Sequence, residues 1–293
     1  MFCDFKTKTF AKWILAGEHA VVRGNEALVF PIPDKQLIFT YNANVSSLSA
    51  DYTGSHGPQM HLLFWSVLEQ GIQLLGGSVN QLYGHFHLDS NIPIGVGLGA
   101  SAALCVAMSR WYCAQQMIDA SYCHEFAKNL EHLFHGTSSG LDIAGVSSEK
   151  GVYFKAGTCL PVNQIFYPNW YLSSCNQIGV TSDCIGQVQQ LWKKDAQLAE
   201  KIDKQMVEAV HEAKQALEYE DTQAQAHLAK AINKARDCFM QWGLISESLQ
   251  QHINQLLKAG ASAVKPTGSG GGGYVLSLWN QAPDSSSIEL TRI

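Results

Sequence analysis

The stretch 91-NIPIGVGLGASAAL-104 places glycines at 95, 97 and 99 and follows them with a run of small residues. It admits three readings: a dinucleotide-binding turn, a loop that wraps phosphates, or a tight packing turn. Gly95, Gly97 and Ala100 satisfy G-x-G-x-x-A, and Asp119 stands about where an acidic ribose ligand is sought. That fingerprint needs a buried strand running straight into the glycines, whereas 89-DSNIP-93 intervenes. Asp119 follows a helix with no second strand between, so the βαβ unit is missing. A Walker loop fails as well, because no Gly-Lys-Ser/Thr follows. What remains is a loop feeding a helix that starts near Ala100 or Ser101. It is either a packing turn or an anion site, in which Cβ-free backbone closes on phosphate and the helix dipole adds positive potential. In the second case the Ser101 hydroxyl lies where it could ligate Mg2+.

Upstream, 10-FAKWILAG-17, 26-EALVF-30 and 37-LIFTY-41 read as strands, with turns at Arg23-Gly24-Asn25 and Pro31-Ile32-Pro33. Residues 59–75 carry a helical apolar pattern stopped by Gly76-Gly77. The run 82-LYGHFHLDS-90 alternates, setting His85 and His87 on one strand face with Tyr83. Two such histidines can bind a metal, but no third ligand is evident and a half-buried strand face is the simpler reading. Downstream, residues 101–116 are apolar nearly all round, which predicts a buried helix, and another runs through 120–134. Strands are expected at 151-GVYF-154 and 165-IFYPNWYLSS-174.

From 184 to 259 the chain reads as helical. Apolar stripes are expected at Val207, Val210 and Leu217, then Leu228, Ile232, Ala235 and Phe239, then Leu249, Ile253 and Leu256. The order of elements predicts an α+β chain with an N-terminal domain over 1–165 and a C-terminal domain over 166–293.

Two further motifs bear on chemistry. In 130-LEHLFHGTSSGLD-142, Glu131 on a helix and Asp142 after a small-residue turn could divide metal binding and proton acceptance between them. Equally, they could be an exposed helical acid and a helix N-cap. In 265-KPTGSGGGG-273 the glycines are flanked closely by apolar strands, which favours a backbone-lined ligand wall over a flexible linker.

Bulk properties exclude several classes. A net charge of −5 with no block of like charge is not the footprint of a nucleic-acid binder. The eight cysteines lack paired zinc-site spacings and read as free thiols of a reducing compartment. Lys6, Lys8 and Lys12 precede 13-WILAG-17, but Glu18 and His19 cut that run short of a signal peptide, and no stretch is long enough to span a membrane. A cytoplasmic protein is expected.

In order along the chain, from Lys12 to about Tyr274, these motifs resemble the three signatures of the GHMP kinases. Within that family, 12-KWILAGEHAVVRG-24 is most similar to the mevalonate kinase branch, since Ala20-Val21-Val22 follows Gly-Glu-His where galactokinases continue Thr-Asp-Tyr. The resemblance implies a two-domain α+β fold, the first domain like domain 2 of ribosomal protein S5 and the second ferredoxin-like. It implies ATP- and Mg2+-dependent phosphorylation of a small-molecule hydroxyl, most closely that of mevalonate, with no nucleic-acid or membrane partner and with a homodimer left open.

Asp142 would be the general base and Lys12 its neighbour, keeping it ionised. Pro93, Gly95, Gly97, Leu98, Gly99, Ala100, Ser101 and Ala102 would wrap the ATP phosphates, and Ser101 and Glu131 would hold Mg2+. Glu18, His19, Thr267, Gly268 and Gly270 would line the acceptor pocket, with His19 donating to a substrate carboxylate.

Five departures from the family pattern stand out. Phe10-Ala11 precedes Lys12 in place of Pro-x-Gly, Ala100 replaces a serine, and Ser138 replaces a common proline. Pro266 takes an apolar position, and no basic residue lies at 181–190, which leaves Lys155 as a weak substitute for binding a carboxylate. The alternatives are a kinase for phosphomevalonate, homoserine or a galactose-like sugar, and a non-catalytic sensor on the same fold; the intact set Lys12, Ser101, Glu131 and Asp142 argues against the sensor.

Overall fold

The computed structural model describes residues 2–135, 138–177, 179–219, 221–284 and 288–293. Two compact units share the chain: residues 1–12 with 31–149, and residues 13–30 with 150–293. The sequence expectation cut the chain once, near 165, whereas compactness cuts it after Lys12, Phe30 and Glu149. The reason is strand length. β1 (Phe5–Ala16) and β2 (Glu26–Asn42) each contribute residues to both units.

β2 also corrects the expected turn at Pro31-Ile32-Pro33, since the strand runs on through both prolines. Residues 26–29 of β2 pair with one neighbour and 37–42 with another. The prolines fall between these ladders, where neither needs their missing N–H groups.

In the first unit, β4 (Gly84–Ser90) lies between the 37–42 part of β2, antiparallel, and β3 (Leu48–Thr53), parallel. Its alternation sends Phe86 and Leu88 inward, while His85 and His87 each donate to Asp51 Oδ1 of β3 at 2.9 Å. The histidine face is thus a hydrogen-bonded strand surface, and no group of three or more metal-binding side chains occurs among the described residues.

α1 (His61–Leu74) ends in a Schellman arrangement, Gly77 N–H to Ile72 O and Gly76 N–H to Gln73 O, with Gly76 at φ +73°. α2 (Ala100–Ala114) is buried nearly all round, as its composition predicted. Its Trp111 joins Tyr41 and Phe86 in a cluster with ring centroids 4.7–5.2 Å apart. The Tyr112 hydroxyl donates to Leu68 O, and a Cβ on Gly71 of α1 would stand 2.5 Å from the Tyr112 ring. α3 (Cys123–His135) and α4 (Leu141–Ser147) complete the unit. Arg110 of α2 ties together Lys8 O, Thr7 Oγ1 and Ser147 O, which fixes α2 against β1 and the end of α4.

In the second unit, the 26–29 part of β2 pairs with β5 (Val152–Lys155), which forms a hairpin with β6 (Thr158–Pro161). Ala156 and Gly157 turn it at φ +46° and +85°, the positive pair that a two-residue hairpin of matching twist requires. Of the expected strand 165–174 only β7 (Asn169–Ser174) forms. α5 (Thr181–Lys194), α6 (Ala196–Glu218), α7 (Ala224–Gln241) and α8 (Glu247–Lys258) follow, then β8 (Ala263–Pro266), β9 (Tyr274–Trp279) and β10 (Thr291–Arg292). The second sheet runs β10-β7-β9-β8, antiparallel throughout.

The α7 and α8 stripes are buried as expected. The α6 stripe is instead Ile202, Met206, Ala209, Val210, Ala213 and Leu217, with Val207 at its margin. Alanines at 209 and 213 are buried on this stripe, a contribution that a search for large apolar residues overlooks. All eight cysteines are free, and no helix among the described residues is long and apolar enough to cross a membrane.

Candidate active site

The glycines of the 91–99 loop hold left-handed backbone. Gly95, Gly97 and Gly99 adopt φ +77°, +81° and +83°, a region that residues with a Cβ enter only at a cost. Gly99 caps α2 without any side-chain capping bond, and the first helical backbone bond is Ala103 N–H to Gly99 O. The leading amides of α2, at Ala100, Ser101 and Ala102, therefore stand at the positive end of the helix, a position whose potential favours an anion.

Two contacts set the loop against the first strand. Lys12 N–H donates to Leu98 O at 2.9 Å, and a Cβ on Gly99 would lie 2.9 Å from Lys12 Cγ and 3.0 Å from Val146 Cγ1. Gly99 thus permits both the turn and the seat of Lys12. Leu98, Ala100 and Ala102 are buried and anchor the loop, while Pro93 and Ser101 are half-exposed.

Lys12, almost wholly buried, reaches Asp142 with Nζ to Oδ1 at 2.9 Å. The N-cap of α4 is Gly140 at φ +86°, so Asp142 is not the cap that one reading of the sequence allowed. It sits in the first turn with its side chain 30% exposed, accessible to a reacting group.

Glu131 is buried beside it. Ser138 Oγ donates to Glu131 Oε2 and accepts from Gly140 N–H at 3.0 Å, joining the carboxylate to the start of α4. The serine that departs from the family pattern therefore has a task here. Gly136 and Thr137 of this motif lie outside the described residues. Burial, with the Asp142 charge second, pushes the Glu131 carboxyl up to about 8. Its Oε1 is buried without a hydrogen-bond partner among the described residues.

Cys105, one turn beyond Ser101 on α2, has its thiol raised by burial and then by the Glu131 charge, which puts that carboxylate near this flank of the helix. A buried carboxylate oxygen left without a partner among the described residues, and a half-exposed serine hydroxyl, are both hard donors of the kind a divalent cation takes. Ser101 and Glu131 accordingly fit Mg2+.

In the second unit, Gly17 at φ +108° turns the chain out of β1, where a Cβ would lie 2.4 Å from Ala27. His19 is the centre of a tight γ-turn at φ +59°, ψ −45°, closed by Ala20 N–H to Glu18 O at 2.6 Å. Its Nε2–H donates to Ser269 O at 2.8 Å and its ring meets Trp242 edge-on at 5.2 Å. Burial lowers its pKa to about 4, so the ring is neutral and presents Nδ1 as an acceptor. The expected donation from His19 to a carboxylate is thereby corrected, because its one N–H is already spent on Ser269.

Glu18 Oε1 takes Lys265 Nζ at 2.5 Å, both side chains buried, and Lys265 also donates to Ile14 O and lies over the Phe239 ring. The Thr267 hydroxyl donates to Ile14 O and accepts from Ile14 N–H, so it ties strand to loop. Gly268 and Gly270 hold φ +93° and +83°, and Gly270 passes close to Leu244 and Phe239. Lys155 is paired with Glu26 at 2.8 Å. Sequence reasoning passed over Lys265, although a lysine within the apolar run 263-AVKP-266 was a visible signal. It also passed over Asp203, an acid on the buried stripe of α6.

Residues 63–149 match the family model for the N-terminal domain of the GHMP kinases, and the fold of the chain is the two-domain α+β fold of that family. At the level of individual proteins the similarity is to mevalonate kinases. The mevalonate kinase of Pyrococcus abyssi is 26% identical over 315 residues, covering 96% of this chain and 90% of its own. Among solved structures, the L. major mevalonate kinase in complex with R-mevalonate superposes with a TM-score of 0.77 at 20% identity, covering 98% of this chain and 94% of that one. A Streptococcus pneumoniae phosphomevalonate kinase reaches 0.72 at 17% identity, covering 99% of this chain and all of that one, 100%.

Proposed function

We propose that this chain is an ATP-dependent kinase that phosphorylates the primary hydroxyl of mevalonate. The observation that carries the reading is the buried Lys12 ammonium on an accessible Asp142 carboxylate, with a buried Glu131 oxygen that has no partner among the described residues. Phosphoryl transfer needs positioning and charge stabilisation more than covalent chemistry, and these groups supply both.

The 95–99 loop and the start of α2 receive the ATP phosphates through backbone amides. Ser101 and Glu131 would hold Mg2+, which neutralises phosphate charge when bound. Asp142 accepts the proton of the acceptor hydroxyl as its oxygen bonds to the γ-phosphorus and the bridging P–O bond to ADP breaks. Lys12 holds Asp142 in place and offsets the negative charge of the transferring group. Glu18, His19 and the 267–270 wall recognise the acceptor. ATP and a small hydroxy acid are both at hand in the cytoplasm, where this reading places the protein.

Similarity over nearly the whole length to curated mevalonate kinases supports mevalonate as acceptor. ADP release with mevalonate, phosphomevalonate, homoserine and galactose tests it, and the absence of mevalonate-dependent turnover would refute it. Asp142→Asn should lower kcat by about 10²–10⁴-fold while far-UV circular dichroism and Tm stay near wild type.

A further inference from the structure

The γ-turn at His19 is a conformation that a residue with a side chain adopts only where its surroundings impose it. Its own contacts, Nε2–H to Ser269 O and the Trp242 edge, fix the ring, and backbone bonds from Val21 N–H to Gly17 O at 3.0 Å and from Val22 N–H to His19 O at 3.3 Å span the turn. The chain that follows is tied in addition to α6. Asp203, 4% exposed on the core side of the helix, takes both forks of Arg23, Nε to Oδ2 at 2.5 Å and Nη2 to Oδ1 at 2.6 Å. Asn25 Nδ2 reaches Asp203 Oδ2 at 3.4 Å and donates to Ala20 O at 3.2 Å, the residue after His19. The Arg23 guanidinium also lies 5.0 Å over the Trp192 ring, which orients the fork. One carboxylate therefore grips the turn at Arg23 directly and at Ala20 through Asn25.

We infer that Arg23, Asn25 and Asp203 form a positioning clamp that holds the His19 γ-turn in its strained conformation and thereby sets acceptor affinity. The inference rests on the reading of Glu18 and His19 as the acceptor segment. Asp203 and Arg23 are positioning residues: they act through His19 and have no part in the transfer step.

The test is Asp203→Asn in the full-length protein, a change that keeps the shape and removes the charge. The first readout needs no substrate. With 15N-labelled histidine, the wild-type spectrum should contain one neutral, exchange-protected imidazole, assigned through His19→Gln, that does not titrate until about pH 4. In folded Asp203→Asn its N–H protection should be lost and its titration should move toward 6.5, the ordinary value. Arg23→Lys, which keeps the charge but loses the fork, should fall between, and Arg23→Gln should match Asp203→Asn in lost N–H protection while its titration rises further, because the Arg23 charge itself lowers His19. The Arg23 pair carries the test if Asp203→Asn does not fold.

The second readout is kinetic. KM for mevalonate should rise by about tenfold with kcat and KM for ATP within about threefold, and the rise should vanish in a His19→Gln background. Folded variants whose His19 signal keeps its protection and low titration would overturn the clamp. A changed His19 signal with an unchanged mevalonate KM would leave the clamp standing and refute the acceptor assignment instead.

Discussion

Glu131 is the residue whose charge the fold controls most directly. Its carboxyl is raised to about 8 from an ordinary 4.5, first by burial and then by the Asp142 charge. Between those values the folded chain binds a proton that the unfolded chain has released, so this group's contribution to stability is full below 4.5 and is lost as pH climbs through 8. Glu131→Gln should flatten that decline, and thermal melts from pH 5 to 9 measure it. A cation needs the ionised form, so loading with MgATP at pH 7 should expel close to one proton from wild type and none from the variant. Calorimetry in buffers of different ionisation enthalpy counts it. Lys265 raises the opposite problem, a cation with no exposure paired to a buried Glu18. Lys265→Met removes the ammonium that faces the buried Glu18 carboxylate and should destabilise the protein by up to about 3–5 kcal/mol in urea unfolding, whereas Glu18→Gln with Lys265→Met should recover much of that loss.

At the scale of elements, the 91–99 loop and α2 form one device, and its glycines are not equivalent. Gly95 and Gly99 both hold positive φ, but a Cβ at 95 meets nothing within 4 Å, while one at 99 drives into Lys12 and Val146. Gly95→Ala should therefore pay only backbone strain, about 1–2 kcal/mol. Gly99→Ala should also displace Lys12 and lower kcat/KM for ATP by at least about tenfold more than Gly95→Ala, the equivalent of about 1.4 kcal/mol. Steady-state kinetics on the two variants decide it.

This part of the site was legible because its information is local. A βαβ unit was excluded by the missing strand, the helix start was placed at Ala100 or Ser101, and α2 was read as buried from its composition. The continuation of β2 through Pro31 and Pro33 was not legible, since whether a proline breaks a strand depends on which ladders flank it. The α6 stripe was read only in part: Val210 and Leu217 lie on it and Val207 at its margin, while the buried Ala209, Ala213 and Ala216 do not announce themselves as apolar.

Across the whole molecule, long-range pairing is what one sequence conceals. The bond from Glu18 to Lys265 spans 247 positions and that from Arg23 to Asp203 spans 180, and no periodicity connects them. The motifs marked candidate residues, and the structure shows which of them already have partners. Glu18 and Thr267 brace the proposed acceptor segment through Lys265 and Ile14, and His19 has committed its N–H.

The same pairing argues for an acceptor of low charge. In the second unit, the cations on and around that segment each lie on an acid: Lys265 on Glu18, Arg23 on Asp203 and Lys155 on Glu26. The neutral His19 adds no positive charge, and the chain as a whole carries −5. An acceptor with a single carboxylate meets little repulsion in such surroundings. One that also carries a phosphate brings about two further negative charges, and each must displace an existing pair or go uncompensated, at a cost of several kcal/mol where water is excluded. Mevalonate should accordingly exceed phosphomevalonate in kcat/KM by at least about 100-fold, or about 2.7 kcal/mol. ADP release at 0.05 and 0.3 M salt (about nominal values) separates this from surface steering, since screening at roughly the Debye length erases a surface effect and leaves a buried one. Equal rates on the two acceptors would show that the paired lysines and arginine exchange partners when substrate enters.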